Sequence, residues 1–189
     1  MENTNVVVRV ASAEDARYAA EISDETERSA IARGTGISKR PVEYIVEKML
    51  QGKAVIAIDT NGEWAGFCYF EIWSNGEFIS NSGMIVKPDF RKHGIAHMLK
   101  NALFDICRQK YPAAKIFSIT TGLAIMHMNS ELGFEPVTYS EICQEEGFWQ
   151  NCKSCVNYEI LCQKNRSNCL CTAMLYNGKQ QNAKQIEEI

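Results

Sequence analysis

Val86-Lys87-Pro88-Asp89-Phe90-Arg91-Lys92-His93-Gly94-Ile95-Ala96 joins three features in succession. An apolar β-branched run ends, a proline-containing turn follows, and a helix opens at a glycine. The first turn of a helix presents amides with no partner inside the helix, together with a partial positive charge. That end of a helix suits a phosphate-bearing ligand. Gly94 and Ala96 are small enough to let backbone approach such a ligand closely, and Arg91, Lys92 and His93 bring basic or polarisable side chains to the same turn.

Downstream, Ile95, Met98, Leu99, Ala102, Leu103 and Ile106 recur at helical spacing, which predicts a helix to about Lys110 with one apolar stripe. Residues 115–120 read as a strand and 123–132 as a helix closed by Gly133. Upstream, residues 78–86, 65–73 and 54–58 read as three strands of a meander, turned at Asn75-Gly76 and Asn61-Gly62. Residues 6–10 form a first strand. Ser12 then caps a helix, with Asp15 three positions on, and this helix runs to about Arg33. Pro41 opens a second helix that ends near Gly52. Strand, two helices, three strands, helix, strand, helix and further strands make an α+β chain, with a mixed, mostly antiparallel central sheet flanked by helices in three layers.

The 189 residues fit one domain, and a formal net charge of -3 gives no footing for nucleic acid as a partner. The polar start, Met1-Glu2-Asn3-Thr4-Asn5, lacks the features of a secretory signal, and no apolar run is long enough to span a bilayer. A cytoplasmic protein without a membrane partner is expected. Residues 5–140 are read as the core, 141–176 as cysteine-rich strands completing or extending the sheet, and 177–189 as a polar tail.

The segment from Val86 to Ala96 matches V-x-P-x-x-[Q/R]-x-x-G-x-[G/A] at every specified position, and Asn129-Ser130-Glu131-Leu132-Gly133-Phe134 follows downstream. In these motifs and their order the chain resembles the GNAT acyl-CoA N-acyltransferases over about residues 5–140. The resemblance implies that acyl-CoA pantetheine pairs with Met84-Ile85-Val86. It also implies that amides from Arg91 through Lys92, His93, Gly94 and Ile95 to Ala96 hold the pyrophosphate, and that an amine attacks the thioester directly. Many relatives carry a tyrosine acid where this chain has Asn129. Asn129 is therefore assigned to cofactor binding, with Tyr139 as another source of the proton. A carboxylate base on the third meander strand would fall near Ser80, which cannot do that work. Glu71, among aromatics on the second arm, is the candidate base, with Glu77 behind it.

Arg33 and Arg40 flank the loop between the first two helices, where guanidinium groups suit an anionic acceptor. The C-terminal text around Phe148-Trp149 and Cys152 to Cys171 resembles short GNAT proteins of arginine biosynthesis, which implies glutamate as acceptor and acetyl-CoA or succinyl-CoA as donor. Cys152, Cys155, Cys169 and Cys171 supply four thiolates, enough for a structural zinc across a hairpin; the competing reading is small buried side chains. A small-molecule amine is the expected partner, and a homodimer is compatible with the chain. The alternatives are another small amine or a peptide N-terminus as acceptor, or an acyl-CoA-binding module without catalysis.

Overall fold

The computed structural model describes residues 5–34 and 40–178, so the inter-helix loop expected over 35–39 and nearly all of the expected tail lie outside the described residues. Seven strands among the described residues form one sheet in the order β1-β2-β3-β4-β5-β7-β6. They are β1 (Val6–Val10), β2 (Ala54–Asp59), β3 (Trp64–Trp73), β4 (Phe78–Val86), β5 (Lys115–Thr120), β6 (Glu135–Val137) and β7 (Thr172–Tyr176). β4 and β5 pair in parallel, whereas β1–β2, β2–β3, β5–β7 and β6–β7 pair antiparallel. This is the mixed α+β sheet that the residue pattern predicts. The chain divides into two compact units, Met1–Phe70 with Ser82–Asp105, and Glu71–Asn81 with Ile106–Ile189.

In the first unit, a 3-10 turn over Ala13–Tyr18 leads into α1 (Ala19–Arg33). The Ser12 amide donates to the Asp15 carboxylate at 2.7 Å, completing the expected capping box. Arg9 grips the same carboxylate at 2.6 and 2.7 Å. Burial pushes the Asp15 carboxyl up; the Arg9 and Ser12 hydrogen bonds more than reverse this and leave it below its usual value. Gly34 ends α1 in the left-handed conformation, which an L side chain resists. α2 (Val42–Leu50) starts after Pro41. Ile22, Ile45, Met49, Ile56, Trp64, Phe67 and Ile85 form the apolar core of this unit. α3 (Ile95–Lys110) buries Ile95, Leu99 and Leu103, an i, i+4 ridge, but Met98 of the predicted stripe is 43% exposed. Leu99 lies directly over Gly66, where an added Cβ would meet its Cδ1 at 2.8 Å.

The second unit contains α4 (Leu123–Glu131), closed by Gly133 at φ 84, then β6, α5 (Glu146–Gln150), α6 (Tyr158–Gln163) and β7. The cysteine-rich segment 141–176 is therefore not a run of strands. It holds two short helices and one strand, β7, which pairs with β5 and β6. Its aromatic residues explain the difference: Phe148 and Trp149 point inward from α5 and pack with Phe117, Tyr139 and Leu161 in a second core. Among the described residues no helix is long and apolar enough to cross a membrane.

Gly83 interrupts β4 at φ 64, and a Cβ there would fall 2.2 Å from the Tyr69 ring. Gly62 has a comparable φ of 79 with open space around it. Gly62→Ala should cost about 1 kcal/mol of backbone strain, and Gly83→Ala about 3 kcal/mol or more because overlap is added. Urea unfolding midpoints measure both; equal losses would contradict the close approach of Tyr69 to β4.

Stability should also fall on acidification through Asp15. Its carboxyl is held below its unfolded value, so the contribution is complete above about pH 4 and is lost as pH drops through the lowered folded value. In an acid titration of the unfolding free energy, Asp15→Asn should flatten this limb. An unchanged limb would remove Asp15 from the acid response.

Candidate active site

The turn at 91–96 is built from two left-handed residues, Lys92 at φ 67 and Gly94 at φ 78. They swing the chain from the Pro88–Phe90 3-10 turn into α3. The amides of Gly94, Ile95 and Ala96 have no acceptor among the described residues, and a Cβ built on Gly94 would meet nothing within 4 Å. The three donors lie at the positive end of a 16-residue helix, with open space beside Gly94. A diphosphate fits this cradle on charge, donor number and room.

Arg91 does not play the part assigned to it from sequence. Its amide donates to the Pro88 carbonyl at 3.1 Å, so it is not offered to a ligand. Its Nε donates to the Val86 carbonyl at 3.0 Å, while Nη2 reaches Glu25 Oε1 at 3.0 Å and Ser29 Oγ at 2.7 Å. The guanidinium braces the turn from behind, its charge balanced by Glu25, where the sequence placed it at the mouth. Glu25 and Ser29 are each only 5% exposed. Lys87 is held the same way, by Glu21 at 2.9 Å and by Glu63. Lys92 and His93 are exposed beside the cradle.

Glu21, Glu25, Ser29 and Arg33 fall four residues apart on α1, which places them on one stripe. This stripe is the part of the site that sequence reading missed. A signal existed in the polar residues at i+4 spacing on a helix whose apolar pattern is weak. Arg33 continues the stripe toward Arg91. Burial, then the Arg91 charge, holds its guanidinium below the usual range, with Glu25 pulling the other way. Glu25 Oε2 also holds Arg28 Nη2 at 3.0 Å, so one carboxylate answers Arg28 and Arg91 as well as the charge of Arg33.

Arg40 lies elsewhere in the same unit. Its Nε donates to the Tyr69 hydroxyl at 2.9 Å, and its guanidinium sits 5.9 Å from the Tyr44 ring centroid. The structure thus separates the two arginines that the sequence grouped: Arg33 with the turn, Arg40 with Tyr69. Met84 and Val86 are half-buried on β4 and Ile85 is buried; the pairing of β4 with β5 covers Phe78 to Ser80 and goes no further.

In the second unit, Glu71 is half-buried with Asn151 Nδ2 at 3.5 Å from its Oε2. Ser80 Oγ receives the Trp73 indole N–H at 2.9 Å, and Glu77 faces Lys115 at 3.5 Å. Asn129 is fully buried; its Nδ2 donates to the Met174 sulfur at 3.5 Å and its Oδ1 has no partner among the described residues. Tyr139 is buried too, with its hydroxyl against Cys169 Sγ at 2.8 Å and the Cys171 carbonyl at 2.9 Å. Burial first, then Cys169, pushes Tyr139 far up, so it is a poor proton donor.

The zinc expectation is not met. Among the described residues no group of three or more His, Cys, Asp or Glu is arranged to hold a metal ion. Cys152 and Cys155 lie in turns between α5 and α6, and Cys169 and Cys171 precede β7; Cys169 first, then burial and the charges of Cys155 and Cys152, push the Cys171 thiol up. Their sulfurs have other partners: Cys155 receives the Asn157 amide at 3.4 Å, and Cys169 the Cys171 amide at 3.3 Å. The Cys171 thiol, with Tyr139 and that amide, holds the Cys169 thiol down to about 6 against burial.

The acetyltransferase (GNAT) family model matches residues 36–134, just over half of the chain, and the chain belongs to that family. Solved structures agree on the fold. N-acetylglutamate synthase from Neisseria gonorrhoeae, complexed with coenzyme A and N-acetyl-glutamate, superposes with a TM-score of 0.64 at 16% identity over 91% of this chain. The match spans 35% of the synthase, so this chain corresponds to about a third of its length. A Mycobacterium tuberculosis protein in complex with CoA gives 0.63 at 15% identity, covering 90% of this chain and 98% of that one. A phosphinothricin acetyltransferase from Sinorhizobium meliloti in complex with AcCoA gives 0.59 at 15%, covering 92% and 88%. No curated protein matches the sequence.

If Glu25 and Ser29 hold the turn through Arg91, Glu25→Gln should raise the KM for acetyl-CoA roughly tenfold, about 1.4 kcal/mol, with kcat changed far less. Steady-state kinetics decide this, and an unchanged KM would free the turn from α1.

Proposed function

We propose that this chain transfers an acetyl group from acetyl-CoA to the primary amine of a small anionic acceptor, with glutamate the leading candidate. The open cradle of three amides at Gly94, Ile95 and Ala96 carries the cofactor half of this reading. In it the diphosphate of coenzyme A meets backbone donors and the end of the α3 dipole. Arg33 meets a phosphate oxygen. The pantetheine runs along the Met84–Val86 edge of β4. Succinyl-CoA uses the same contacts, so the turn does not choose between donors.

The acceptor half rests on Arg40. Its Nε donates to the Tyr69 hydroxyl and its guanidinium lies by the Tyr44 ring, and a guanidinium is the group that suits a carboxylate. The amine must be unprotonated to attack the thioester carbonyl, and Glu71 is the carboxylate proposed to accept its proton, through water. Attack forms the C–N bond; collapse of the tetrahedral oxyanion breaks C–S and releases the thiolate. Tyr139 is unsuited to donate a proton and Asn129 has none to give, so the thiolate leaves unprotonated. A thiol near pKa 8.5 permits this. Rate then comes chiefly from holding the two reactants together.

The test is release of free CoA across a panel of amino acids, polyamines and peptide N-termini, with acetyl- and succinyl-CoA. Turnover concentrated on acidic amino acids is expected. Turnover only on cationic amines or peptides would overturn the acceptor assignment, and binding of CoA without turnover on any acceptor would favour a CoA-binding module. Within the active pair, Arg40→Gln should raise acceptor KM roughly tenfold and leave acetyl-CoA KM within about twofold, and Arg33→Gln should do the reverse. Identical profiles would contradict the separation of the two arginines.

A further inference from the structure

β1 ends the sheet: it pairs with β2 on one side, and among the described residues no strand pairs with its other side. Just past it, the Ala11 amide donates to the Ala54 carbonyl at 2.9 Å. From that bond the antiparallel alternation runs back along the register, so Arg9 bonds Ile56 and Val7 bonds Ile58. Val6, Val8 and Val10 therefore turn their N–H and C=O groups away from β2. Arg9 Nη1 donates to the Val10 carbonyl at 3.1 Å, which leaves that oxygen a second lone pair. Proteins ordinarily blunt such an edge with a bulge, a proline or an unmatched charge. β1 has none of these. Its register with β2 is unbroken from Val6 to Val10, its sequence is Val-Val-Val-Arg-Val, and Asp15 matches its one charge at 2.6 and 2.7 Å. Val7 is 62% exposed and Val10 42%. The acetyl-transfer reading uses no part of this edge.

We propose that β1 pairs antiparallel with β1 of a second copy of this chain, about a two-fold axis at Val8. A two-fold contact must be self-complementary. Here Val8 meets Val8, and each amide donates to the other's carbonyl; Val6 exchanges the same pair of bonds with Val10 of the other copy, twice over. Val10 covers Val6 across the contact, and Val7 lies opposite Arg9. Because Asp15 already answers each Arg9, the two edges approach without net repulsion. Only a short edge is buried, so the dimer is weak and concentration-dependent.

Sedimentation equilibrium from about 1 to 300 μM should show a reversible monomer–dimer equilibrium. Val8→Pro deletes an amide that faces outward and no bond of the β1–β2 ladder. It should raise the dimer Kd at least about tenfold, with circular dichroism and the urea midpoint near wild type. A second pair of variants reads the register whatever becomes of the proline. Val7→Arg sets a cation opposite Arg9 of the other copy, twice by symmetry, and should raise Kd roughly tenfold. Val7→Glu sets a carboxylate there and should leave Kd within about threefold. A wild type that stays monomeric throughout would overturn the proposal and leave the edge to another occupant. So would a dimer that survives in folded Val8→Pro, or one that arginine and glutamate at position 7 weaken equally.

Discussion

Four polar residues at i+4 spacing along α1 impose the constraint on which the candidate site depends. Glu21 and Glu25 anchor the cations of Lys87 and Arg91, Ser29 adds a hydroxyl to Arg91, and Arg33 stands at the end of the row. A turn containing two left-handed residues has little reason of its own to hold one shape. Charge-assisted hydrogen bonds, each contributing about 1.5–3 kcal/mol, supply that reason from outside the turn. With the arginine spent as a brace, the proposed ligand recognition falls to backbone amides, which need no side-chain ordering when a ligand arrives.

The same economy of parts divides the arginines. Arg91 is paired with Glu25, Arg33 feels the charges of both, and Arg40 is held against Tyr69 and the Tyr44 ring. A sequence offers three guanidinium groups of equal chemistry; the fold sets Arg91 as a brace, Arg33 beside it and Arg40 against Tyr69, and the phosphate and acceptor roles of the last two are proposals. Gly83 takes part by letting the Tyr69 ring press against β4, which sets the position of the hydroxyl that holds Arg40.

Much of this was readable in the chain. The glycine-started helix α3 and the meander turns at Asn61-Gly62 and Asn75-Gly76 announce themselves because their signals are local: a 3.6-residue stripe, a left-handed glycine, a capping box at Ser12. The role of Arg91 was not readable, since Glu25 stands 66 positions away and nothing local shows which way the side chain turns. The C-terminal segment misled for a related reason. α5 and α6 are only 5 and 6 residues long, too short for a period to show, and tertiary packing of Phe148 and Trp149 decided their form. Four cysteines in C-x-x-C and C-x-C spacing looked like ligands, yet spacing alone cannot report how the fold sets the sulfurs, and no metal-holding group is found among the described residues.

The most direct measurement of the central claim is calorimetric titration of the protein with coenzyme A and with pantetheine, which lacks the phosphates. If the amides of Gly94, Ile95 and Ala96 hold the diphosphate, coenzyme A should bind at least about a hundredfold more tightly, a difference near 2.7 kcal/mol, and the gap should shrink as salt rises. Equal affinities for the two compounds would contradict the account.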